Sequence, residues 1–173
     1  MNYKAKLHGI KAFVFDYDGV ISDGNIWSAN DQIIVRSGNV KDGYAIQYAV
    51  KQNLLIFVIT GAKSLGVQQR FANLGVQEIH LGIADKLTLL KSLLTKYKMD
   101  FHDVLFVGDD MPDYFCMQQV AVAVAPADAI DDIKHISHYV STKKGGEGVV
   151  REILEKMLKL QEKWHHDVFV KSV

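Results

Sequence analysis

The chain is short of cysteine, short of proline and without an excess of either charge, and each shortage removes a class of protein. One cysteine, Cys116, in 173 residues cannot build an intrachain disulfide framework, and it suits a reducing compartment. Its setting, Tyr114-Phe115-Cys116-Met117, is that of a packed thiol rather than a nucleophile. Two prolines and no low-complexity run leave nothing that reads as a linker. Lys+Arg and Asp+Glu balance at 20 each, so no global field would gather nucleic acid or an anionic membrane. The longest apolar stretches, Leu54 to Ile59 and Val120 to Pro126, fall far short of a membrane span. Met1 to His8 lacks the apolar core of a signal peptide. The expectation is a cytoplasmic protein with neither a nucleic acid nor a membrane as partner.

What remains is a globular chain, 49% hydrophobic and 23% charged. It is expected to form one domain over 1–173, burying roughly 70% of its unfolded surface. Apolar runs at 10–15, 54–59, 77–81, 104–107, 120–124 and 139–140 read as strands. Between and after them, 40–52, 64–74, 86–98, 112–118, 127–135 and 149 to about 163 read as helices. Asp85 is placed to cap one of them and Gly75 to end another. Strands alternating with helices predict an α/β fold with a doubly wound parallel sheet. Residues 24–36 read as a β-hairpin turning near Asn30-Asp31. It is too small to hold a core of its own and should lie against something, such as another subunit. No gap is long enough for a separate cap domain.

The chemistry gathers at strand ends. The first buried strand runs into Asp16 and Asp18, spaced i, i+2, and then Gly19. The second ends at Thr60-Gly61, a later one at Asp109-Asp110, and Lys86 opens the helix between them. Open α/β sheets bind ligands at the carboxyl ends of their strands. Converging carboxylates repel unless a cation sits among them, and oxygen-only ligands favour Mg²⁺. Lys86 and Thr60 would supply a cation and a hydroxyl for phosphoryl oxygens. Each element alone has a structural explanation: a helix cap, a strand end, a solvated lysine. All four in this order point to phosphoryl transfer.

With these residues the chain resembles the haloacid dehalogenase superfamily. Phe15-Asp16-Tyr17-Asp18-Gly19-Val20 is similar to its first motif, Thr60 to the second and Lys86 to the third, with Gly108-Asp109-Asp110-Met111-Pro112-Asp113 as the fourth. Further stretches resemble the capless sugar-acid phosphatases acting on 3-deoxy-D-manno-octulosonate 8-phosphate. These are Ile21-Ser22-Asp23-Gly24, Asn39-Val40-Lys41-Asp42-Gly43-Tyr44, Arg70 to Gly75 and Gly145 to Glu152, so the likeness covers about residues 9–155. It implies that Asp16 attacks phosphorus to give an aspartyl phosphate, and that Asp18 handles the leaving-group proton and then water. It implies that Asp16, Asp109 and the Asp18 backbone carbonyl hold Mg²⁺, supported by Asp110 and Asp113, and that Thr60 and Lys86 hold the phosphoryl group. Substrate contacts are implied for Asp18, Asn39, Val40, Lys41, Asp42, Gly43, Gln47, Gly61, Arg70 and Lys86. A homotetramer is implied too, with the hairpin of one subunit over its neighbour's site; the loop 143–148 and the tail from Lys163 are further candidates for that contact.

One position departs from the pattern. The family follows Thr-Gly with arginine, whereas here Thr60-Gly61 precedes Ala62 and Lys63, which leaves eight- and nine-carbon sugar acids both open. A receiver-type signalling domain shares an acidic pair, a hydroxyl and a lysine, but its acceptor aspartate ends a middle strand, where this chain has Thr60. A non-catalytic assembly module would have no use for the set Asp16, Asp18, Thr60, Lys86 and Asp109. His165-His166 has no third ligand nearby in sequence and reads as an exposed pair.

Overall fold

Strands buried on both faces need apolar side chains at every position, and four of the apolar runs meet that demand as the middle of one parallel sheet. The computed structural model describes residues 7–30 and 33–165. In chain order the elements are β1 (Ala12–Phe15), β2 (Trp27–Asn30), β3 (Ile33–Val35), α1 (Val40–Lys51), β4 (Leu55–Ile59), α2 (Leu65–Asn73) and β5 (Glu78–His80). There follow α3 (Lys86–Tyr97), β6 (Val104–Val107), α4 (Tyr114–Gln119), β7 (Val122–Ala125), α5 (Asp131–Ile136), β8 (Tyr139–Val140) and α6 (Val149–Leu160). The six-stranded sheet has the order β5-β4-β1-β6-β7-β8, and every pairing in it is parallel. The order reverses beside β1, which creates a crevice above the carboxyl ends of β1, β4 and β6.

Alternate residues of each strand feed two cores. Phe13, Phe15, Ile56, Val58, Leu105 and Val107 pack with α1, α2 and α6 on one face. Val14, Phe57, Ile59, Phe106 and Ala123 pack with α3, α4 and α5 on the other. The expected elements are present, with shifted ends. The run from Val120 joins the sheet only at Val122, because the Ala121 N–H is drawn to the Phe101 carbonyl (2.9 Å). The helix expected from Ala127 starts at Asp131, since the Ala127 N–H bonds the Lys143 carbonyl (2.9 Å). Among the described residues no helix is long and apolar enough to cross a membrane.

The hairpin of β2 and β3 is antiparallel; its tip, Asp31 and Gln32, lies outside the described residues. It leaves Ile26, Trp27, Ile34 and Val35 exposed, Trp27 by 67%. The two further segments that are candidates for a neighbour contact also pack on their own chain. The loop 143–148 presses on the turn after β1: a Cβ on Gly145 would lie 2.1 Å from the Gly19 carbonyl oxygen, and the Gly146 N–H bonds the Val20 carbonyl. In the tail, the Trp164 ring lies 4.7 Å from that of Tyr48, and the Tyr48 hydroxyl accepts the His165 N–H (2.8 Å). The tail beyond His165, including His166, lies outside the described residues.

Helix α6 starts at Gly148, which has no side chain to cap it. Asp42 does so from α1: its Oδ1 accepts the Arg151 N–H at 2.7 Å, while its Oδ2 is buried without a partner. Asp42 is only 1% exposed, and burial pushes its carboxyl up to about 6 against the pull of Arg151 and Arg70. The folded state therefore binds a proton more tightly than the unfolded chain, and this group's contribution to stability falls as pH rises from about 4 through about 6. Asp42→Ala should cost about 1–2 kcal/mol through the lost cap. Asp42→Asn, which keeps Oδ1, should fold at least as well as the parent at pH 7.5 and flatten the pH dependence. Urea denaturation at pH 5 and 7.5 measures both, and an alanine variant as stable as the parent would rule out the capping role.

Candidate active site

Leaving β1, the chain must turn sharply while presenting two carboxylates. Gly19 permits this: its φ is +80°, and a Cβ there would lie 2.0 Å from Asp109 Oδ2, so both the left-handed backbone and the close approach of Asp109 exclude a side chain. The Tyr17 carbonyl closes the turn by accepting the Ile21 and Ser22 N–H groups, each at 2.9 Å. Asp16 then stands at the end of β1, Thr60 at the end of β4 and Asp109 past the end of β6.

Lys86 is delivered by the first turn of α3, where Asp85 caps the Thr88 N–H. Its ammonium, 3% exposed, sits 2.8 Å from Asp16 Oδ1 and 2.8 Å from Asp113 Oδ1. Asp113 spends its other oxygen on the Asp109 N–H (3.1 Å), so both its oxygens are engaged. Asp109 Oδ1 is buried with no partner. One oxygen each of Asp16, Asp109 and Asp113 lie within 4.8 Å of one another. Of these three carboxylates, Asp16 and Asp113 contact the one ammonium and Asp109 does not. Burial, then the Asp113 charge, lifts Asp16 to about 7 in spite of Lys86. Burial, followed by Asp16, Asp113 and Asp110, lifts Asp109 to about 8. Burial alone would lower the Lys86 ammonium, but Asp113 and Asp16 outweigh it and hold the pKa above its ordinary value. A buried unpaired carboxylate oxygen in an excess of negative charge fits a hard divalent cation, which Asp16 and Asp109 would hold.

Asp18 faces the other way. Both its oxygens accept from Arg36 Nε, at 2.9 and 3.0 Å, and Oδ1 also accepts from the Ser22 hydroxyl (3.2 Å). Arg36 comes from the hairpin, just past β3. A cavity of about 480 Å³ opens between these groups, with Asp16, Asp18, Arg36, Thr60, Lys86 and Asp109 in its wall. Gly61 and Ala62 also line it, while Lys63 folds against Gly82. A second cavity, about 290 Å³, lies between hairpin and α2, with Arg36, Tyr17 and Arg70 in its wall.

The structure therefore brings Asp16, Asp18, Thr60, Gly61, Lys86 and Asp109 around one cavity and places Arg70 on the next. Arg70 is half-buried and donates to the Asn39 carbonyl (3.3 Å), so it is not a free surface arginine. The Asn39 side chain caps α1 and donates to the Gly146 carbonyl. Val40 and Lys41 are exposed, Gly43 is packed beside Arg70, and Asp42 caps α6. Gln47 is half-buried, with Oε1 lacking a partner. None of these six, Asn39, Val40, Lys41, Asp42, Gly43 and Gln47, lines either cavity.

Residues 78–153 match the family described as haloacid dehalogenase-like hydrolase. The 3-deoxy-D-manno-octulosonate 8-phosphate phosphatase of Escherichia coli K12 is 36% identical over 159 residues, covering 92% of this chain and 85% of its own. The chain belongs to the haloacid dehalogenase-like hydrolases. Among solved structures, the phosphatase of the same name from Yersinia pestis superposes with a TM-score of 0.90 at 34% identity, covering 93% of this chain and 87% of that one. The Moraxella catarrhalis enzyme, solved with magnesium, phosphate and the sugar acid KDO, gives 0.89 at 32% identity over 92% of each chain.

Sequence reasoning about this haloacid dehalogenase-like hydrolase missed Arg36. An arginine closing a β-run looks like an exposed edge residue, and only the folded hairpin carries it to Asp18. The carboxylate cluster also makes the hydrolase sensitive to pH. Asp16 and Asp109 hold protons more tightly when folded than unfolded, so without metal their contribution to stability falls as pH rises from about 4 through about 7 and 8. A divalent cation displaces those protons and should raise the melting temperature more at pH 8.5 than at pH 6. Thermal melts in chelator and in millimolar Mg²⁺ at both pH values check this; an equal shift at both would count against the cluster as the binding site.

Proposed function

We propose that the chain is a Mg²⁺-dependent phosphomonoester hydrolase that removes the terminal phosphate of a ulosonic sugar acid, foremost 3-deoxy-D-manno-octulosonate 8-phosphate. The observation that carries this reading is Lys86 fixing Asp16 at a strand end beside the unpaired Asp109 oxygen. The similarity to phosphatases of that name supports the substrate. In this reading the Asp16 oxygen not bound to Lys86 attacks phosphorus, forming an aspartyl phosphate as the bond to the leaving oxygen breaks. The leaving oxygen keeps the electron pair and takes a proton from Asp18. Asp18 then removes a proton from water, which attacks phosphorus and releases Asp16 and inorganic phosphate. Thr60 and Lys86 hold the phosphoryl oxygens, and Lys86 keeps Asp16 aimed. Magnesium, held by Asp16, Asp109 and the Asp18 carbonyl, would add positive charge against those oxygens.

On the same reading Arg70 offers a guanidinium to the acid, and residues 39–43 and Gln47 serve the substrate only through a rearranged or assembled site. Ala62, buried in the cavity wall, keeps nine-carbon sugar-acid 9-phosphates as a second reading, because no guanidinium there selects the shorter acid. The lone buried Cys116 suits work in a reducing cytoplasm, and the substrate places the enzyme in lipopolysaccharide sugar synthesis.

Phosphate release with Mg²⁺ across octulosonate 8-phosphate, two nine-carbon 9-phosphates and ordinary sugar phosphates tests the proposal. The octulosonate should be preferred, and Asp16→Asn should lose at least about a thousand-fold in kcat. Flat activity across the panel, or an active Asn variant, would sink it.

The open cavity and the exposed hairpin residues Ile26, Trp27, Ile34 and Val35 support assembly into a homotetramer in which this surface meets a neighbour. Light scattering at micromolar concentration should give four times the chain mass, and Trp27→Glu should lower it. A monomeric parent protein would end this closure scheme.

A further inference from the structure

Arg36 is more deeply engaged than its place at the end of an exposed hairpin suggests. Its side chain is 8% exposed. Nε alone serves both Asp18 oxygens, and Nη1 is buried with no hydrogen-bond partner. A guanidinium N–H shut away from water without an acceptor is costly, and such groups are normally paired. The residue stands in the wall shared by both cavities. Beyond it, the lining of the smaller cavity includes two arginines, Arg36 and Arg70, and no carboxylate. Arg70 there spends a hydrogen bond on a neutral carbonyl. The phosphoryl side is rich in acids; the far side of Arg36 sets two guanidiniums among Tyr17, Ile34, Val35 and Val67, with no acid facing them from that lining.

We propose that Arg36 is a specificity-determining residue that touches the substrate: while Nε holds Asp18, Nη1 donates to the carboxylate of the sugar-acid leaving group. This rests on the phosphatase reading above. The phosphoryl group would lie in the larger cavity, with the leaving group crossing past Asp18 and its acid end turned toward the smaller one. One side chain then joins the proton-handling carboxylate to the feature that distinguishes a ulosonic acid from an ordinary sugar. A phosphoester without the carboxylate would leave Nη1 unpaired and lose that hydrogen bond.

Steady-state kinetics of the full chain with Mg²⁺ test this, using parent, Arg36→Gln and Arg36→Lys on octulosonate 8-phosphate and on p-nitrophenyl phosphate. Holding Asp18 affects both substrates; the carboxylate contact affects only the first. Arg36→Gln should therefore lose about 10- to 100-fold more kcat/KM on the sugar acid than on p-nitrophenyl phosphate, chiefly through KM. Arg36→Lys, which keeps the charge but not the fork, should recover part of the difference. Equal losses on both substrates would reduce Arg36 to a positioning residue for Asp18, and no loss on either would remove it from the site; both overturn the proposal. Thermal melts of each variant separate these results from misfolding. A parent enzyme inactive on every sugar-acid phosphate would overturn the substrate reading itself, and the Arg36 contact with it.

Discussion

Because the Lys86 ammonium is almost fully buried, it can stay charged only where carboxylates face it, and Asp16 and Asp113 do so from opposite elements at 2.8 Å each. That demand fixes the end of β1, the start of α3 and the turn after β6 relative to one another. Asp113 passes the constraint on by accepting the Asp109 N–H, so the last acidic strand end is aimed by the same charge. A buried ion pair is weak support for stability, since desolvation offsets most of the attraction. Here it leaves three carboxylates around one cation, a state of residual repulsion rather than balance. The unpaired Asp109 oxygen and the raised affinity of Asp16 and Asp109 for protons are two expressions of that repulsion. A site that is electrostatically incomplete by itself is prepared for a cation it does not encode.

The parts of this arrangement that were legible in the sequence are those that follow from local rules. Apolar runs such as Leu54 to Ile59 become central strands because a run that short, rich in β-branched and aromatic residues and closed by Thr60-Gly61, suits a strand buried on both faces, and Asp16, Thr60 and Asp109 follow from where the strands stop. Asp85 caps α3 as its position suggests. What was not legible depends on contacts between distant segments. Asp42, beside Asn39 and Lys41, caps a helix whose N-cap residue, Gly148, has no side chain. Nothing local to Asp42 announces a donor at Arg151, 109 positions away. Likewise Trp164 is an aromatic in a charged tail until Tyr44 and Tyr48 provide rings to meet it.

The loop 143–148 shows how closely the structural and functional demands are joined. Its glycines approach the turn after β1 so tightly that Gly145 cannot carry a side chain against the Gly19 carbonyl, and Asn39 at the head of α1 ties the same loop from the other side. The turn holding Asp18 is therefore braced from behind by α1 and by the approach to α6. Asn39, Asp42, Gly145 and Gly146 then each have a structural role of their own. A resemblance between such stretches and those of sugar-acid phosphatases carries information about scaffold as much as about substrate.

The hairpin makes two kinds of contribution, and this bears on how an open site can be selective. It contributes Arg36 to Asp18, and a Ser37 hydroxyl just beyond it to the Asp23 carboxylate; it also leaves Ile26, Trp27, Ile34 and Val35 exposed, the last two in the wall of the smaller cavity. A two-stranded ribbon is marginal alone, so its polar contacts to Asp18 and Asp23 help to set its position. Anything that buries those apolar residues would also stiffen the arm that carries Arg36. Alignment of Asp18 is thus carried by one small element, whose Arg36 also stands in the wall of both cavities.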